Sequence, residues 1–120
     1  MFKVQASQHV LAVNDIVKSE QYFVDKLGFE IRFRADGWVF LSLQSFHVML
    51  GHCVDEVPAE QTNNHAYFAY VNCQGIDDLY QQYMDRHVEF TQHIADKPWG
   101  LREFGIRTPE GHRIMFGQDI

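Results

Sequence analysis

The stretch that decides the fold is Val13–Leu41, VNDIVKSEQYFVDKLGFEIRFRADGWVFL. It opens on Asn14-Asp15, a good helix-capping pair, after which Ile16, Phe23 and Leu27 recur at helical spacing with Val17, Tyr22 and Val24 beside them. Gly28 follows as the stop, so the pattern predicts a helix over Ile16–Leu27. Phe29 to Arg34 then alternates apolar and charged residues. Asp36-Gly37 is a strong hairpin signal, and Trp38-Val39-Phe40-Leu41 resumes the strand.

Outward from this stretch, Val4–Val13 reads as a strand feeding the helix, and Phe46–Leu50 as a third strand after the Gln44-Ser45 turn. Gly51 to Asn64, with Pro58 and several polar residues, reads as a linker. The same order then begins again, with strands over Ala66–Val71, Val88–Ile94, Leu101–Ile106 and Arg113–Phe116 and a helix over Gly75–Arg86. Val13-Asn14 matches Val71-Asn72, Phe29-Glu30 resembles Glu89-Phe90, and helix two reads as longer by a residue or so. A repeat of this length governs the reading of the whole chain. The fold class is therefore α+β, with two tandem βαβββ modules, about 1–53 and about 65–120, in a single 1–120 domain. Each module offers a sheet with an apolar helix on one face, and two placed edge to edge form a cupped mixed sheet.

With 120 residues the chain has room for one ordinary domain. Its 46% hydrophobic and 22% charged residues exclude a disordered chain. No apolar run approaches the roughly 18 residues of a membrane span, and no charged-then-apolar leader pattern is visible, so no membrane partner and a cytoplasmic location are expected. Cys53 and Cys73 lack metal-type spacing and read as free thiols. A net charge of -6 without clustered Lys and Arg argues against nucleic acid and suits a cationic ligand.

The duplicated order, the run Lys97-Pro98-Trp99-Gly100-Leu101-Arg102-Glu103-Phe104, and Pro109-Glu110-Gly111 with Phe116-Gly117 resemble the vicinal-oxygen-chelate, or glyoxalase/bleomycin-resistance/dioxygenase, superfamily. Lys97 to Phe104 resembles its bleomycin-resistance branch. That resemblance implies a homodimer with no cofactor, binding a planar aromatic or cationic small molecule in a cup at the dimer interface without catalysis. Trp38 and Trp99 match the positions of stacking rings, with Phe33, Phe40 and Phe104 as further ligand-binding residues. The same tryptophans also suit a core or dimer-sealing role. Phe46, Phe68 and Phe116, like the three phenylalanines just named, suit core or cup lining. Asp36, Asp55, Glu56, Asp96 and Glu103 are placed to attract a cationic tail.

Metal-dependent members place four inward ligands, and the corresponding positions here are Gln8, Met49, Ala66 and Met115. Methionine and alanine do not suit a hard divalent ion, so no metal is expected. His9 and His65 lie one residue away, where strand parity turns a side chain to the other face unless a bulge intervenes. With those histidines turned inward, the alternative is a metal-dependent lyase, isomerase or dioxygenase. His47, His52, His87, His93 and His112 show no ligand spacing and read as surface residues. Glu110 reads as part of a solvated turn, and no serine has a nucleophile-elbow context.

Overall fold

The computed structural model describes residues 1–62 and 66–120, in two compact units, Met1–Glu56 and Val57–Ile120. The first unit runs β1 (His9–Val13), α1 (Ile16–Asp25), β2 (Glu30–Ala35), β3 (Trp38–Leu43) and β4 (Phe46–His52). Its sheet has the order β1-β4-β3-β2, with β1 parallel to β4 and the other pairs antiparallel. The second unit repeats this with β5 (Tyr67–Asn72), α2 (Ile76–Asp85), β6 (Glu89–Asp96), β7 (Leu101–Arg107) and β8 (Arg113–Asp119), in the order β5-β8-β7-β6. A short 3-10 turn, Ala59–Gln61, precedes it. The fold is thus α+β, two βαβββ modules with one helix and one four-stranded mixed sheet each.

Alternation sorts each sheet into a helix face and an outer face. In the first unit Leu11, Val13, Val39, Leu41, Val48 and Leu50 are buried with Phe23 and Leu27 of the helix and its exit. In the second, Phe104, Ile106, Ile114 and Phe116 are buried with Ile76 and Tyr83. Each such large side chain contributes roughly 1.5–3 kcal/mol relative to exposure, so this face sets the register.

Helix α1 is capped by Asp15, whose side chain accepts from Lys18 N–H at 3.0 Å. It ends two residues sooner than its periodicity predicts. Gly28 at φ 84° lets Phe29 N–H return to Phe23 C=O at 2.9 Å, closing the helix end while Leu27 stays buried. Helix α2 is not the longer one, since both have ten residues. The extra residues lie before it, and the strand registers show why. Leu11 faces Leu50 as Val71 faces Phe116, so the match of Val13 with Val71 is two residues out of step.

The first strand is shorter than Val4–Val13, because residues before His9 are exposed and unpaired with the sheet. Pro109-Glu110-Gly111 forms the expected turn, with Gly111 at φ 91° and its N–H bonded to Thr108 C=O. His112, read as a surface residue, is buried: its ring meets Phe68 edge-on and its N–H donates to Thr108 Oγ1 at 3.0 Å. Among the described residues, no helix is long and apolar enough to cross a membrane.

Candidate functional site

The outer face of the second unit carries a cavity of about 430 Å³. Three local features of the sequence make it. First, β7 and β8 turn Phe104, Ile106, Ile114 and Phe116 toward α2, so Glu103, Gly105, Met115 and Gly117 face the other way. Second, two of those four are glycines, and their missing side chains leave room for larger neighbours. A Cβ on Gly105 would meet Met115 Sδ at 2.8 Å and Tyr67 Oη at 3.3 Å. Third, a bulge between Tyr67 and Ala69 breaks the alternation of β5 and brings both Tyr67 and Tyr70 to the cavity.

Trp99 stands at the rim. It occupies the turn Lys97-Pro98-Trp99-Gly100 between β6 and β7, closed by Gly100 N–H to Lys97 C=O at 3.1 Å and Lys97 N–H to Leu101 C=O at 2.8 Å. The residue is 64% exposed, yet its indole N–H donates to Glu103 Oε2 at 3.2 Å, which fixes the ring. Tyr70 donates to the same oxygen at 2.6 Å. Burial of the phenol, then its hydrogen bond to Glu103 and that carboxylate's charge, push the Tyr70 pKa well above its ordinary value. Tyr67, Phe68 and Met115 complete the wall. The result is an aromatic enclosure around one carboxylate, chemistry that holds a flat or cationic molecule.

A neighbouring cavity of about 470 Å³ shares Tyr67 and Gln92 but is lined by Glu89, Arg107 and Arg113. Arg113 is already engaged, donating to Thr62 Oγ1 at 2.9 Å and Thr62 C=O at 3.2 Å. Its charged lining gives a flat ligand less to stack on.

The ligand-binding residues expected from the sequence divide into three groups. Trp99 is at the cavity. Phe33, Phe40 and Trp38 share the outer face of the first unit: the Phe33 and Phe40 rings lie 5.5 Å apart, and Trp38 lies over Gly51, its cross-strand partner. Phe104 departs from the expectation. It is fully buried on the helix face, stacked on Phe116 at 5.1 Å and meeting Tyr80, Tyr83 and Phe90, because the Glu103 next to it takes the outer side.

Of the acidic residues, Asp96 is gripped by Arg102 at 2.6 and 3.2 Å, and that hydrogen bond holds its carboxyl below the usual range. Asp36, Asp55 and Glu56 are exposed. Tyr67, Ala69, Tyr70 and Gln92 are the cavity residues that the sequence reading did not single out. A polar-tipped aromatic between Ala69 and Val71 was the available sign for Tyr70.

The positions of a superfamily-type metal site do not fit a hard ion. Gln8 and Ala66 precede their strands and are exposed, Met49 lies on the outer face of β4, and Met115 lines the cavity with a soft thioether. His9 shares the face of Leu11 and stacks edge-on to Phe46 at 5.2 Å. His65 lies outside the described residues. Among the described residues, no group of three or more His, Cys, Asp or Glu side chains is placed to hold an ion.

The sequence profile of the Glyoxalase/Bleomycin resistance protein/Dioxygenase superfamily matches residues 6–116. The chain belongs to this superfamily. Among its relatives, the bleomycin resistance protein of Geobacillus stearothermophilus is 28% identical over an alignment 123 positions long, gaps included, covering 92% of this chain and 93% of that protein. The bleomycin-binding protein of Streptomyces verticillus, solved with copper(II)-bleomycin, shares the fold with a TM-score of 0.76 at 22% identity, over 97% of each chain. A superfamily member from Alicyclobacillus acidocaldarius gives a TM-score of 0.84 at 13% identity, over 97% of this chain and 92% of that one.

Proposed function

We propose that this superfamily member is a small-molecule binding protein of the bleomycin-resistance type, which sequesters a planar aromatic or cationic ligand without altering it and works as a homodimer. The observation that carries this is Trp99, held out at the rim of an aromatic cavity by its hydrogen bond to Glu103. A large exposed ring with a fixed orientation is a preorganised stacking platform, worth about 0.5–1.5 kcal/mol beyond area burial. Support also comes from the 28% identity to a bleomycin resistance protein along nearly the full chain. Met49 and Met115, standing where superfamily enzymes hold a metal, favour binding over metal-assisted chemistry.

Titration with bleomycin, with and without copper, tests the proposal. Binding is expected to change tryptophan fluorescence at about one ligand per chain, and Trp99→Ala is expected to weaken it at least tenfold, about 1.4 kcal/mol. An unchanged signal across the titration would overturn it. Sedimentation of the free protein tests the dimer, and recovery of unmodified drug from the complex tests the absence of chemistry.

A further inference from the structure

The cavity of the second unit contains a carboxylate that forms no ion pair with any of the described residues. This carboxylate, Glu103, is only 5% exposed. Among the described residues its hydrogen bonds come from neutral donors, Tyr70 at 2.6 Å and Trp99 at 3.2 Å, and both end on Oε2. No buried side-chain polar atom among the described residues lacks a partner. Oε1, which receives neither donor, is therefore not sealed away from the surroundings, and Glu103 lines the cavity.

A carboxylate buried without an opposite charge is costly, and a cation entering the cavity offsets that cost. The surrounding rings of Tyr67, Phe68, Tyr70 and Trp99 choose among cations. Small hard ions need about six or more oxygen ligands, whereas one carboxylate and four aromatic side chains suit a weakly hydrated organic cation. At about 430 Å³ the cavity lies toward the small end of ligand pockets, which span about 300–1,000 Å³, so it takes a head group rather than a whole large drug.

We propose that Glu103 is the charge-selecting residue of this cavity, and that the cavity takes an alkylated ammonium or cationic heteroaromatic group with Oε1 against the positive charge and Trp99 across its face. This rests on the binding reading above and adds the chemical class that the site prefers.

The test compares N-methylquinolinium with neutral quinoline, which share a ring system and differ in charge, by tryptophan fluorescence titration of the full chain. Wild type is expected to prefer the cation about tenfold. Glu103→Gln keeps a carbonyl oxygen for Tyr70 and Trp99 and removes the charge. It is expected to bring the preference within about twofold while quinoline affinity stays within about threefold of wild type. Equal affinity of wild type for both probes, no binding of either, or an undiminished preference in Glu103→Gln would each overturn the proposal. The wild-type comparison decides even if the variant fails to fold. Bleomycin bound equally by wild type and Glu103→Gln, with no preference between the probes, removes this inference and leaves the binding reading standing. Loss of bleomycin and probe binding together removes both.

Discussion

The Tyr70 hydroxyl reaches Glu103 Oε2 at 2.6 Å by crossing β8, the strand that lies between β5 and β7. The crossing depends on Gly117, the cross-strand partner of Glu103. A Cβ at that position would collide with the Tyr70 hydroxyl and its ring carbon, so the sheet surface beneath the phenol must be bare backbone. Gly117→Ala then forces either Tyr70 off Glu103 or β8 out of line. We expect a loss of roughly 1–3 kcal/mol in a denaturant titration, typical of overpacking, together with weaker bleomycin binding. An unchanged midpoint and unchanged binding would refute this account of the crossing.

The same contact has a signature at high pH. Burial and the neighbouring Glu103 raise the Tyr70 pKa in the folded protein, so the native state keeps a proton that the unfolded chain releases. The resulting stabilisation is fully present below the ordinary phenol pKa of about 10 and is lost as pH rises above it. Phenolate absorbance is expected to show Tyr70 ionising above the ordinary range, and Tyr70→Phe should lower the late-ionising absorbance by one tyrosine's share. A titration curve whose late absorbance is undiminished by Tyr70→Phe would sink the idea.

Local patterns carried the element order well. Phe23 and its helical neighbours, the Gly28 stop, the Asp36-Gly37 turn and the Pro98-Trp99-Gly100 loop all act over a few residues, and all are found where the sequence places them. Facing was harder to read. In Leu101-Arg102-Glu103-Phe104 the two charged residues are adjacent, so either parity leaves one charge outward, and the choice is made by Tyr80 and Tyr83 arriving from α2. The Tyr67/Ala69 bulge likewise comes from pairing with β8, a strand more than forty residues downstream. That non-local pairing is why Tyr67 and Tyr70 were missed as partners in one cavity.

The opposite facings of Phe104 and Trp99 separate packing from binding. Phe104→Ala opens a void among Phe90, Phe116, Tyr80 and Tyr83 and is expected to cost about 3–5 kcal/mol. Trp99→Ala removes an exposed ring and is expected to cost less than about 1 kcal/mol while weakening ligand binding. Urea midpoints with matched slopes, set beside bleomycin titrations, distinguish the two. A stable Phe104→Ala variant that had lost binding would return Phe104 to the ligand side.

The two helices are started by different means, and this gives a further test. Asp15, the residue just before α1, caps it locally, whereas α2 has no side-chain cap at Gly75. Instead Ile76 N–H donates to Gln118 Oε1 at 2.9 Å, from a residue near the far end of β8. The start of α2 is thus tied to completion of its sheet. Gln118→Ala leaves that N–H, on a fully buried residue, without its acceptor, at an expected cost of about 1–2 kcal/mol. Hydrogen exchange at Ile76, Asp78 and Leu79 should quicken while the amides of α1 keep their protection. Equal change in both helices would mean that the variant loosens the fold generally and that the cap is not specific to α2.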